Sequence, residues 1–121
     1  MSRWLKSFYH AMNGLVFVYQ HEQNFRIHLV AGALAVIFGF MLGMSRIEMA
    51  IVILLIIAVL GLELINSALE HFLDLIVPRF DVHVERVKNV LAAVVLLASV
   101  GAAIISLLLY VPYMLRVFTV Q

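Results

Sequence analysis

Apolar residues fill three long stretches of this chain and recur at helical spacing in a fourth. The first stretch is Leu29 to Met44, sixteen uncharged residues. Extended back through Ile27 and Phe25, with Arg26 snorkelling to the interface, it predicts a membrane span over about 25–44. The second predicts a span over 47–76, with Met49 to Leu62 free of charge and a polar octet after it. The third, Val90 to Val111, is interrupted only by Ser99 and Ser106 and predicts a span over 88–112. Roughly 20 residues rising ~1.5 Å each cross a hydrocarbon core of ~30 Å, so all three suffice. Before them, Trp4, Leu5, Phe8, Met12, Leu15 and Val16 share a helical face, with Arg3, Lys6, Ser7, His10 and Asn13 elsewhere on the wheel. That pattern predicts an amphipathic helix over about 1–22, lying on the membrane surface. Gly43-Met44-Ser45-Arg46 reads as a tight turn, and Val77 to Lys88 as a polar loop. Pro78 and Pro112 lack the amide proton that a helix interior needs, and each is expected to end its helix.

The expected fold is all-α and integral to a membrane, a single unit over 1–121. Composition agrees: 65% of the 121 residues are hydrophobic, 12% are charged, and mean hydropathy is +1.12. A soluble domain is only about half apolar and a quarter charged. There is no cysteine, which excludes a disulfide framework, a thiol nucleophile and a thiolate metal site. The basic N-terminus lacks the apolar core and small-residue cleavage site of a removable leader. Arg3, Lys6, Arg26, Arg79, Arg86 and Lys88 fall on one side of the expected spans, Arg46 and Arg116 on the other. Six basic residues against two put the N-terminus and the long loop in the cytoplasm. A net charge of +1 adds little, and nucleic acid is not an expected partner.

The octet Glu63-Leu64-Ile65-Asn66-Ser67-Ala68-Leu69-Glu70 changes the picture. An ionisable group at mid-bilayer costs roughly 2.5–3.5 kcal/mol on insertion scales, so a helix that carries several usually employs them. On a helix Glu63, Asn66, Glu70 and Asp74 share one face, descending toward the cytoplasmic interface. Glu63 lies deepest, and its desolvation suits a general base for an alcohol proton. Glu70 lies nearly two turns nearer water, where carboxylate oxygen is a natural Mg²⁺ ligand. Asn66 can orient a neighbour or a substrate oxygen without adding charge. The plain alternative is hydrogen bonding between helices, which serves one buried glutamate more readily than three polar groups in register.

Two further constellations stand at the cytoplasmic entrances of the other spans. His21-Glu22-Gln23-Asn24-Phe25-Arg26-Ile27-His28 reads as an interfacial anchor by itself. Beside the octet, Glu22 becomes a second carboxylate at the depth of Glu70, and the two could share metal on a polyphosphate. Arg86-Val87-Lys88-Asn89 satisfies positive-inside topology, and Lys88 together with a nearby helix N-terminus could also neutralise phosphate. The five histidines have no zinc-site spacing with a third ligand. Gly39 and Gly43, with Gly32 and Ala35, form a small-residue stripe suited to helix packing. No Walker A, GxGxxG or GxSxG motif occurs.

Taken together, the octet followed by Asp74 and the stretch Glu22-Gln23-Asn24-Phe25-Arg26-Ile27-His28 resemble the small prokaryotic diacylglycerol kinases, which include undecaprenol kinases. The helix-one stretch is similar to the form found in the undecaprenol-kinase-like members, and the likeness covers nearly the whole chain. The resemblance implies a homotrimer in the bacterial cytoplasmic (inner) membrane with composite sites at the cytoplasmic face. It implies transfer of the ATP γ-phosphate to a membrane lipid alcohol, with Mg²⁺ required. It assigns Glu63 as base, Asn66 as positioning amide, Glu22 and Glu70 as metal-binding carboxylates that hold the nucleotide, and Lys88 as the phosphate-contacting lysine. One residue departs from the pattern: Asn89 stands where the family has Asp, followed by Val90-Leu91 rather than small residues. Asn keeps the shape and loses the charge. That opens two other readings, a relative with altered phosphoryl chemistry (a lipid phosphatase or phosphotransferase) and a non-catalytic membrane scaffold.

Overall fold

The computed structural model describes residues 2–77 and 81–120 as four helices. In chain order these are α1 (Arg3–His21), α2 (Gln23–Leu42), α3 (Arg46–Ile76) and α4 (Val82–Thr119). Three of them, α2, α3 and α4, are long and apolar enough to cross a membrane. Local chemistry sets the helix starts. Ser2 accepts from the Leu5 amide (3.3 Å), Ser45 from the Glu48 amide (3.2 Å) and Asp81 from the His83 amide (2.8 Å). Each thereby satisfies one donor that the first helical turn leaves open.

Between α1 and α2 a single residue, Glu22, is extended (φ −114°, ψ 110°). Arg26 folds back across this joint, its guanidinium donating to the carbonyls of Tyr19 (2.8 Å) and Gln20 (3.1 Å) at the end of α1. The residue expected to snorkel therefore fixes the surface helix to the first span. Between α2 and α3 the chain reverses at Gly43, whose φ of +72° strains any side chain. The Gly43 amide bonds the Phe40 carbonyl (3.2 Å) and the Met44 amide that of Gly39 (3.0 Å), the paired cap of a Schellman motif. Gly43 thus belongs to the turn rather than to the packing stripe.

Gly32 and Gly39 do pack. A Cβ on Gly32 would meet Ile56 at 3.0 Å, and one on Gly39 would meet Met49 Sδ at 2.5 Å and Met44 Sδ at 3.2 Å. Around them Met44, Met49 and Val52 form the buried cluster, covered by Ala35, Ile56 and Tyr110. Tyr110 of α4 donates its hydroxyl to the Ala35 carbonyl of α2. Gly39→Leu is expected to lower stability by about 1–3 kcal/mol through overpacking. Thermal unfolding in detergent checks this, with Gly14→Ala, which has no neighbour within 4 Å of the added Cβ, as control.

Two expected boundaries are corrected. Pro112 lies inside α4, which runs on to Thr119. The proline costs only the bond to the carbonyl four residues back, a loss that membrane helices tolerate. At the other end α4 begins at Val82 rather than 88, because Asp81 caps it and Glu85 complements its first turn. Most of the expected loop is helix, and Lys88 lies more than a turn inside it. Pro78 and Arg79 lie outside the described residues. No residue of α4 is fully buried, and much of its apolar surface is exposed.

Candidate active site

The polar octet faces inward where α2, α3 and α4 meet near the start of α2. Glu22 approaches from the joint before α2, His28 from the first span, Glu63, Asn66 and Glu70 from the second, and Ala92, Val95 and Ser99 from the third. Together they line a cavity of about 370 Å³. The shared face read from residues 63, 66 and 70 is therefore real, and Glu22 joins it from the joint between α1 and α2.

Glu63 is only 5% exposed. Its Oε1 shares a hydrogen bond with His28 Nδ1, while its Oε2 is buried with no partner among the described residues. An unpaired carboxylate oxygen removed from water is costly, and such groups concentrate where function requires them. Asn66 donates its amide to Glu70 Oε1 at 3.4 Å, and its own Oδ1 is buried with no partner among the described residues. Ser67, 1% exposed, donates its hydroxyl to Glu22 Oε1 at 3.2 Å. That bond ties the extended joint before α2 to the middle of the octet. His71 Nδ1 bonds the Ser67 carbonyl at 2.8 Å and Phe17 of α1 packs edge-on against the His71 ring, so the surface helix is docked against this helix too.

The donors fit a hard cation. Glu22, Glu70 and the free Asn66 oxygen offer carboxylate and amide oxygens in one cavity. Among the described residues, no group of three or more His, Asp or Glu side chains is placed to hold a metal ion. Mg²⁺ at phosphotransfer sites usually takes one or two carboxylates plus substrate phosphates, so a complete cage is not required.

Two expected site residues stand apart. Lys88 forms an ion pair with Asp74, both at the surface, and does not line the cavity. Asn89 is exposed. It lies one turn before Ala92 on α4, on the side that leads into the cavity mouth. Asp74, read as the last member of the polar face, lies beyond the cavity and serves Lys88 instead.

His28 and Ser67 were given no role by sequence reasoning. Ser67 could have been found, since it lies one turn after Glu63 on the same stripe. His28 could not, because its partner is 35 residues away on another helix and no spacing rule links them.

Comparison with known proteins decides the family. Residues 9–110 match the model of the prokaryotic diacylglycerol kinases. The chain belongs to the prokaryotic diacylglycerol kinase family. It is similar to an undecaprenol kinase of Bacillus subtilis, 37% identical over 112 residues that cover 93% of this chain and 91% of that protein. It is also similar to a diacylglycerol kinase of Synechocystis sp., 33% identical over 92% of this chain and 64% of that longer protein. As a family member the chain is a multi-pass membrane lipid kinase, and the cavity that gathers the octet is where the geometry can support that chemistry.

Proposed function

We propose that the kinase transfers the γ-phosphate of ATP to the primary hydroxyl of a polyprenol of the undecaprenol class, with diacylglycerol as the alternative acceptor. One observation carries the reading: Glu63, with one buried oxygen that has no partner among the described residues, lines a cavity that two further carboxylates share. Glu63 Oε2 takes the alcohol proton. Asn66, held by Glu70, turns its free oxygen toward the reacting groups. Glu22 and Glu70 hold Mg²⁺, which when bound neutralises charge on the nucleotide phosphates. Lys88 exchanges Asp74 for a phosphate oxygen when nucleotide arrives.

An apolar slot of about 240 Å³ continues from the cavity and shares His28 and Ser99 with it. The slot has room for part of one hydrocarbon chain beside the cavity. The Bacillus subtilis relative supports the polyprenol class. The uncovered apolar surface of α4 leaves room for lipid or for the neighbouring subunits of the homotrimer that the resemblance implies. The distribution of Lys and Arg supports an inner-membrane protein with its N-terminus in the cytoplasm. Turnover with undecaprenol and with diacylglycerol, compared in mixed micelles, tests the proposal. Higher kcat/KM for the polyprenol is expected, and preference for the glyceride would reverse the assignment of acceptor.

Asn89 bears on rate rather than on the identity of the reaction. Restoring the charge with Asn89→Asp is expected to raise kcat about ten- to a hundredfold, the worth of a charge-assisted hydrogen bond near the phosphates. Steady-state assays of the two proteins under saturating ATP check this. Phosphate release from a lipid phosphate without nucleotide would favour altered chemistry instead.

A further inference from the structure

Among the described residues, Glu63 meets one hydrogen-bonding side chain, and it is not one of those assigned above. His28 Nδ1 bonds Glu63 Oε1 across the α2–α3 contact. The neighbouring cations are committed elsewhere, Lys88 to Asp74 and Arg26 to the end of α1. A buried carboxylate left with neither cation nor donor is expensive, and among the described residues the imidazole is the one side chain that hydrogen-bonds Glu63. A neutral imidazole also costs far less within a membrane than lysine or arginine would. The ring stands at the junction of the polar cavity and the apolar slot, lining both. That is where a lipid alcohol must present its hydroxyl.

We propose that His28 is a positioning residue for phosphoryl transfer, its Nδ1–H holding one oxygen of Glu63 so that the other meets the alcohol proton. The inference rests on the lipid-kinase reading. The step balances as follows. The alcohol O–H bond breaks and its proton passes to Glu63 Oε2. The alcohol oxygen bonds the γ-phosphorus as the bond from that phosphorus to the bridging oxygen breaks, and the electron pair leaves with ADP. His28 keeps its Nδ1–H throughout, and Glu63 returns its proton to water after the products depart. By itself, the contact could also be only a tie between two helices. A tie would affect assembly and binding, whereas positioning affects turnover and needs a donor at the Nδ1 position.

The variants His28→Leu, His28→Asn and His28→Gln separate these roles. The Asn amide nitrogen falls close to where Nδ1–H stands, and the Gln amide reaches one methylene further. In undecaprenol micelles, His28→Leu is expected to lose about ten- to a hundredfold in kcat, the worth of a hydrogen bond to a charged group, with KM for ATP and for lipid unchanged. His28→Asn is expected to restore most of that loss and His28→Gln little of it. Wild-type kcat in His28→Leu, or equal kcat in the Asn and Gln variants, overturns the assignment of His28 while leaving the kinase reading intact. The Asn–Gln comparison also decides the matter should the leucine variant fail to assemble. Wild-type protein that phosphorylates no lipid alcohol overturns the kinase reading and this inference with it.

Discussion

Glu63→Gln is expected to lower kcat for lipid phosphorylation by roughly 10²–10⁴-fold, the usual worth of a positioned general base. The substitution is nearly isosteric. The glutamine carbonyl can still accept from His28, so the α2–α3 contact survives and the cavity keeps its shape. Only the ability to take a proton is removed. Nucleotide binding, which the proposal assigns to Glu22, Glu70 and Lys88, should be unaffected. Steady-state kinetics together with calorimetry of ATP–Mg²⁺ binding separate the two effects. An effect on transfer alone appears as lost kcat with intact affinity. Unchanged turnover would remove Glu63 as base.

The second large effect is expected at the metal. Glu70→Ala removes a carboxylate from the cavity and also the partner that orients the Asn66 amide. Turnover is expected to fall by about a hundredfold or more, since the charge stabilisation that a bound cation supplies is worth several kcal/mol. The loss should differ in kind from that of Glu63→Gln. ATP affinity falls as well, and the Mg²⁺ concentration for half-maximal activity rises. A magnesium titration of wild type and variant reads both. Equal midpoints would show that Glu70 does not hold the ion.

Much of this arrangement is legible in the chain, because membrane helices announce themselves by length and hydropathy and because a 3.6-residue period fixes which side chains share a face. The three spans, the surface helix and the common face of Glu63, Asn66 and Glu70 follow from those two rules. What a period cannot convey is where a face stops being enclosed. Asp74 continues the stripe, yet it lies past the end of the cavity and pairs with Lys88. Boundaries misled where a local rule met a membrane context. Pro112 stays within α4, and Asp81 starts that helix six residues before hydropathy alone would. Contacts between helices are the least legible. Neither the His28–Glu63 bond nor the Ser67–Glu22 bond has a sequence spacing that marks it, since each reaches α3 from a distant part of the chain. Their places at the cytoplasmic entrances of the first and third spans make Glu22 and Lys88 candidates, and the resemblance implies the same roles. The structure brings Glu22 into the cavity and leaves Lys88 at the surface with Asp74.

The most direct test of the account follows the label from [γ-³²P]ATP into lipid. Purified protein in mixed micelles containing undecaprenol or diacylglycerol is given nucleotide and Mg²⁺, and the organic phase is resolved. The account predicts a labelled lipid monophosphate, stronger with undecaprenol, lost on chelation of the metal and nearly absent with Glu63→Gln. No labelled lipid from either alcohol, or equal labelling by the Glu63→Gln protein, would contradict it.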